Sequence, residues 1–269
     1  MRVLRTGSPL ADAAIMKYAP AVFAEQPHAS RGPSYRYVPT IRVLEGLRDK
    51  GWGVWEASQQ RSRQADRDPY TKHMLRMRRL EDFEAKAIVG EGVPEVVIIN
   101  GHDGSAAYSV NAGYFRFVCS NGMMVGQHLG GFKVYHIANR TTAMDVLDAA
   151  ERTVTEKFPA MLADVEKFRE HRLIGDQPFE FAEHALRLRY GSTTPPFLAS
   201  DLLKSRRPMD EGDSVWAVLN RIQENVLNGG WATRSAMFGR QSAVRAVERV
   251  SAVQKINAGL WDFAHALVA

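Results

Sequence analysis

The stretch that decides the fold runs from Pro94 to Val125, PEVVIINGHDGSAAYSVNAGYFRFVCSNGMMV. Val96, Val97, Ile98 and Ile99 form a β-branched apolar run, and Asn100-Gly101 and Asp103-Gly104 follow at once. An apolar strand closed by Asn-Gly and Asp-Gly reverses direction, because glycine supplies the positive φ that tight turns need. On the return, Tyr108 and Val110 alternate with Ser109; after Asn111-Ala112-Gly113 a further run sets Phe115, Phe117 and Cys119 on one face and Arg116 and Val118 on the other. The reading is a long antiparallel hairpin. Its tip and adjoining strand gather His102, Asp103, Ser105, Arg116 and Asn121, which read either as turn and scaffold residues or as a polar functional cluster.

Upstream, Thr40 reads as the N-cap of a helix with Ile41, Leu44 and Leu47 as its buried stripe, stopped by Lys50-Gly51. Trp52-Gly53-Val54-Trp55-Glu56-Ala57 then alternates as a strand, with Trp52 and Val54 on one side and Trp55 and Ala57 on the other. A turn at Asp66-Arg67-Asp68-Pro69 leads to a second strand, His73 to Leu80, with Leu75 and Met77 facing one way and Met74, Arg76 and Arg78 the other. Residues Met1 to Pro33 show no sustained period and read as an irregular or short-helical arm.

Downstream, Gly130-Gly131 followed by Phe132 to His136 gives a turn and a short strand that includes Lys133. From Thr142 the period becomes helical, through Met144, Leu147, Ala150, Val154, Phe158, Met161 or Leu162, Val165 and Phe168, as one helix kinked at Pro159 or two in succession. Shorter helices are predicted over Pro178–Leu188 and Asp213–Leu227, Lys204 to Pro208 is a basic solvated connector, and Trp231 to Ala269 is helical again. The expected fold class is α+β: an antiparallel sheet of long β-hairpins covered on one face by helices, then a helical C-terminal region. The expected parts are an arm over 1–34, a core with a basic hairpin over 35–172, and helices over 173–269.

With 269 residues, 45% of them hydrophobic, the chain can bury a large core without disulfides, and Cys119, its single cysteine, is read as a core residue of a cytoplasmic protein. No stretch is long and apolar enough to read as a membrane span. The net charge of +5 is concentrated: Arg61, Arg63, Arg67, Lys72, Arg76, Arg78 and Arg79 stand against Asp66 and Asp68, and the rest of the chain is balanced. A cationic hairpin beside Trp52 and Trp55 is the mixture that tracks phosphates and stacks bases. His102, His128 and His136 have none of the spacings of a compact metal site, and Asp103 is the one carboxylate between Glu95 and Asp145, too few for a two-metal nuclease.

Asn100-Gly101-His102-Asp103-Gly104-Ser105 and Arg116-Phe117-Val118-Cys119-Ser120-Asn121 resemble the signatures of a phage- and plasmid-borne family, domain of unknown function 932. The similarity runs from about Tyr35 to the C-terminus and includes Trp216-Ala217-Val218-Leu219-Asn220. Gly51-Trp52, Gln59-Gln60 and Asp103-Gly104-Ser105 also resemble elements of the ring-forming single-strand annealing recombinases, whose pattern the helical final third departs from.

The expected function is therefore single-stranded DNA binding and strand-annealing recombination by a homo-oligomeric ring or filament, without cofactor, metal or catalytic residue. The expected contacts are Trp52, Trp55, Arg61, Arg63, Arg67, Lys72, Arg76, Arg78, Arg79, His102, Ser105, Arg116, Asn121 and Lys133. Two alternatives stand beside it: a metal-dependent phosphodiesterase or nuclease using the His102-Asp103 turn, and an anti-defence interaction protein.

Overall fold

The computed structural model describes residues 2–5, 8–81, 92–116, 122–124, 132–134, 142–233 and 242–269. The chain divides into two compact units, Met1–Met123 with Gly130–Pro159, and Met124–Leu129 with Ala160–Ala269. The first is built on an antiparallel sheet and the second on helices, so the class is α+β. Ala160 to His171, expected with the core, belongs to the helical unit, where Phe168 packs edge-on against Trp261 at 5.1 Å.

Seven strands are described in the sheet: β1 Arg2–Arg5, β2 Trp52–Gln59, β3 His73–Arg79, β4 Gly92–Asn100, β5 Tyr108–Arg116, β6 Gly122–Met124 and β7 Phe132–Val134. Their order is β1-β2-β3-β4-β5-β6, and β7 also pairs with β5. The hairpin read from Pro94 onward is β4–β5, paired from Gly92↔Arg116 to Ile99↔Ser109. β5 runs unbroken through Asn111-Ala112-Gly113, because each of these residues pairs with β4 in register. Phe117 to Asn121, Cys119 among them, lie outside the described residues, as do His128 and His136.

Two expectations about the sheet are corrected. All eight residues of β2 are buried, as are His73 to Arg78 of β3 and Glu95 to Asn100 of β4, so both faces of the central strands are covered rather than one. A β-bulge between Val54 and Glu56 also shifts the register, so that Ala57 pairs with Leu75 on the face that carries Val54 and Met77. Trp55 is the extra residue that breaks the alternation.

On that face lie α2 (Thr40–Asp49) and α3 (Ala143–Arg152). Val43, Leu44 and Leu47 of α2 are buried, and Gly46 leaves so little room beneath Leu147 that an added Cβ would come within 2.8 Å of it. Thr40 turned out to be the first helical residue, with Pro39 at the N-cap position. Its hydroxyl turns inward instead of capping. α3 starts on a capping box between Thr142 and Asp145 and passes through a π-helical turn, Thr153–Lys157, into α4, Phe158–Glu170. That irregularity sits just before Pro159, which has no N–H to continue the ladder. Met144, expected in the stripe, is 63% exposed; Ala150 is buried as expected, and Val146 and Ala149 are buried beside it.

The N-terminal segment is no free arm. β1 completes the sheet beside β2, and Ile15 of α1 (Asp12–Tyr18), Ala19, Ala21 and Val22 are fully buried in their own chain.

In the helical unit α5 (Gln177–Tyr190), α6 (Ala199–Leu202), α7 (Val215–Asn228) and α8 (Val250–Val268) follow α4. α7 is the central helix, buried almost all round, and its interior polar groups are tied in turn. Gln223 donates to Asn257 Oδ1 at 2.9 Å, Glu224 pairs with Arg207 at 2.7 Å, and Asn225 donates to the carbonyls of Leu202 and Lys204 at 2.9 and 2.8 Å. Arg206 donates to Asn225 Oδ1 at 2.6 Å and covers the Trp231 ring at 4.8 Å, so the basic connector is a tie across α7 rather than a solvated loop. The last helix begins only at Val250; before it, Ala232 and Ala243 form an antiparallel bridge. Gly229 and Gly230, both with positive φ, end α7 and turn the chain into that extended segment. Among the described residues no helix is long and apolar enough to cross a membrane.

Candidate functional site

At one end of the sheet a row of polar side chains crosses three strands: Gln59 of β2 pairs with His73 of β3, which pairs with Asn100 of β4. All three are fully buried, where an unsatisfied polar group would cost about 1–3 kcal/mol. Each is spent on anchoring a loop. Gln59 accepts from the Ala21 N–H at 2.8 Å and donates to Asp68 O at 2.5 Å and Thr71 Oγ1 at 3.0 Å. His73 Nδ1 lies 3.1 Å from Thr71 O, a carbonyl that can only accept, so Nδ1 carries a proton; in the neutral ring Nε2 then accepts from the Thr40 hydroxyl, 2.8 Å away. Thr40 Oγ1 in turn accepts from the Asn100 amide at 3.0 Å and lies 3.4 Å from His102 Nε2. Thr40 is thus the hub joining α2 to the ends of β3 and β4.

His102 is fully buried, with its ring 5.1 Å from that of His73 and edge-on to Tyr37 at 4.9 Å. Its backbone ties three loops together: its N–H donates to Tyr70 O at 2.8 Å, and its carbonyl accepts from His28 N at 3.0 Å. Asp103 does not pair with it. The Asp103 carboxylate accepts from the Ser105 N–H at 3.0 Å, a side chain closing its own turn, and Gly104, at φ 80°, lies under the Arg31 guanidinium. Tyr35 donates to Gly101 O at 2.9 Å and Tyr37 to Ala24 O. Burial, then the Asp103 charge, raises the Tyr35 phenol, with Arg31 opposing; burial, then Glu25, pushes Tyr37 up to about 12. Both therefore act as donors near neutral pH.

What this scaffold presents is the β2–β3 loop. Asp68 holds its shape by accepting from the Ser62 N–H at 2.9 Å, and Thr71 bridges to Gln60 O at 2.6 Å. Arg61 and Arg63 are exposed and Arg67 and Lys72 half-exposed, and among the described residues none of the four makes an ion pair. Exposed Arg36 and half-exposed Arg31, Tyr35 and Tyr70 stand at the same sheet end. Arg31, Tyr35 and Arg36 fall in or beside the stretch expected to be an arm, and Tyr70 belongs to the β2–β3 loop itself. Ser30-Arg31-Gly32-Pro33-Ser34-Tyr35-Arg36-Tyr37 carries the same mixture of cations and aromatics as the hairpin.

Other expected contacts are placed elsewhere. Arg76 and Arg78 are 2% and 3% exposed and both pair with Glu95, which is fully buried; Arg78 also lies over the Trp55 ring at 5.2 Å. The alternation of β3 sets both arginines on the sheet face that carries Glu95, and a buried charge must be paired. Trp52 and Trp55 are each 3% exposed and His102 is fully buried, so none of these five presents its side chain to a polyanion. Arg79 lies over Trp52 at 5.1 Å at the opposite end of β3. Ser105 is exposed at the β4–β5 turn, Arg116 and Lys133 are described by their backbone pairing alone, and Asn121 lies outside the described residues. Among the described residues no three His, Cys, Asp or Glu side chains are grouped as a metal ion would require.

The fold and site define an α+β protein with a cationic loop end braced by a buried polar row. The family model of a domain of unknown function (DUF932) matches residues 27–261, and the chain belongs to that family. It is 36% identical over 273 residues to the UPF0380 protein YafZ of Escherichia coli (strain K12), covering 99% of this chain and 94% of that one. The UPF0380 protein YfjQ of the same organism matches with the same identity and coverage. No solved structure matches the chain.

Proposed function

We propose that the protein binds single-stranded DNA at the loop end of its sheet, with Arg61, Arg63, Arg67 and Lys72 against the phosphates and Tyr35 and Tyr70 beside the bases. The observation that carries this is a set of four cations without ion-pair partners among the described residues, on a loop whose backbone is fixed from beneath. A preformed cationic surface loses little entropy on binding, and phosphate neutralisation dominates such affinities. The placement of Asp103 as a turn residue, away from the His102 ring, weighs against the nuclease reading. One loop end covers few nucleotides, so the proposal includes a cytoplasmic homo-oligomer, ring or filament, that sets several loop ends side by side for strand annealing.

The test is fluorescence anisotropy with labelled oligo-dT across a salt series. Wild type should bind with a steep salt slope and a stoichiometry of many nucleotides per particle. Replacing Arg61, Arg63, Arg67 and Lys72 together by Ala should flatten the slope by roughly 0.7 per lost contact. An unchanged slope would sink the reading.

A further inference from the structure

The helical unit carries a second cationic surface that the loop-end reading leaves unused. Residues 242–249 run extended against the end of α7: Val244 donates to Trp231 O at 2.9 Å, Gly230 donates back to Val244 O at 2.8 Å, and Val247 donates to Leu227 O at 2.7 Å. Arg189, near the end of α5, clamps this segment by donating to Val226 O and, at 2.6 Å, to Arg245 O. Burial lowers the Arg189 pKa, as expected of a guanidinium used as an internal tie.

This bracing leaves Arg245 and Arg249 exposed, with Lys255 exposed just beyond the first turn of α8. Among the described residues none of the three makes an ion pair, and Glu248 is the one carboxylate in this part of the sequence. A groove of about 320 Å³ opens here, lined by Tyr190 and Val247, by the cations Arg249 and Lys255 and by the carboxylate of Glu248, while Arg245 stands on the braced segment outside the lining. Cations on a fixed backbone beside an aromatic and aliphatic wall match a repeat of phosphate, sugar and base. A free anion would use the charge and leave the wall idle.

We infer that this groove and the braced segment that leads to it are a second contact for the backbone of a single nucleic-acid strand, with phosphates at Arg249 and Lys255 in the groove and at Arg245 on the segment, and sugar and base against Tyr190 and Val247. The inference rests on the proposed DNA-binding function, but it is built on different residues, so the two can fail separately. All three cations are exposed, and replacing them leaves the Arg189 clamp in place.

The experiment compares full-length wild type with two variants, the loop variant described above and Arg245→Ala/Arg249→Ala/Lys255→Ala, by anisotropy with labelled dT30 across a salt series. The strip variant should bind at least tenfold more weakly at low salt, with a slope reduced by roughly 2. The charge-conserving Arg245→Lys/Arg249→Lys/Lys255→Arg should restore both. If the loop variant weakens binding while the strip variant matches wild type, this inference is overturned and the loop reading stands. If the strip variant alone weakens binding, the strip stands and the loop reading falls. Wild type without salt-dependent binding overturns both. Displacement of dT30 by poly-glutamate of equal charge as readily as by unlabelled DNA would also overturn the strip as a nucleic-acid site.

Discussion

One hairpin carries two sets of cations to opposite environments. Arg76 and Arg78 lie in β3 and are buried against Glu95; Arg61, Arg63, Arg67 and Lys72 lie in or beside the loop that leads into β3 and are exposed or half-exposed. The residue types are alike and the separation in sequence is short, so charge content does not decide the outcome. Position in the pleat does. A strand residue inherits the burial of its face, and on this face the arginines meet a carboxylate supplied by β4, whereas loop residues face no neighbouring strand. A charge summed over a stretch is thus a statement about surface only after the strand period has been subtracted.

The sharpest way to break this contrast is at Glu95. Glu95→Gln leaves two guanidinium groups buried without their shared carboxylate, and loss of one partner of a buried ion pair costs about 3–5 kcal/mol. Urea denaturation should show that loss in the midpoint. A change under 1 kcal/mol would mean that Glu95 is not what holds these arginines inside, since Glu56, also buried, acts on Arg78 as well. A smaller loss is expected at Thr40, whose hydroxyl meets His73 and Asn100. Thr40→Val keeps the shape and strands those groups, at about 1–3 kcal/mol, while Thr40→Ser should recover most of it. If Val and Ser behave alike, the hub is not held by hydrogen bonds.

The exposed set should behave in the opposite way. Replacing Arg61, Arg63, Arg67 and Lys72 by Ala should move stability by no more than about 0.5 kcal/mol per site, since surface substitutions rarely do more. The same change should carry the full loss in salt-dependent binding already described. A variant that unfolds would show that the loop cations hold structure and would erase the distinction between the two sets.

Much of the fold was legible because its signals were local. The β-branched run before Asn100-Gly101, the return strand from Tyr108 and the glycine stop after α7 each depend on a few adjacent residues. The site was legible only in part. The bulge at Trp55, the pairing of Arg76 with Glu95 and the row of Gln59, His73 and Asn100 exist because strands distant in sequence lie side by side, and no period within one strand encodes its partner. His102 and Asp103 looked like a chemical pair because they are adjacent in sequence. The turn sends one inward to Thr40 and uses the other to hold Ser105. Arg31, Tyr35 and Arg36 lie in or beside a segment that carries the same mixture as the hairpin, but no period before Pro33 assigns that segment to a strand or helix, so its place at the sheet end is legible only from the contacts of Tyr35 and His28.

The smallest expected effect tests whether the loop end is fixed before any ligand arrives. Tyr37 donates to Ala24 O beneath the site, and burial, followed by the Glu25 charge, raises its phenol from 10.0 to about 12. A group whose folded pKa is raised holds its proton longer in the folded state. Its contribution is therefore intact below pH 10 and is lost as pH rises from about 10 toward 12, because only the unfolded chain has released the proton over that interval. Tyr37 is half-exposed, so solvent screens much of this and the slope should be shallow. Tyr37→Phe removes the titrating group: it should be slightly less stable than wild type at pH 8, through loss of one hydrogen bond, and should lose less on going from pH 9.5 to 11.5. Denaturant midpoints at those pH values measure both quantities. Parallel pH profiles for the two proteins would mean that Tyr37 is already solvated in the free protein, and that the loop end takes its shape only when a ligand is bound.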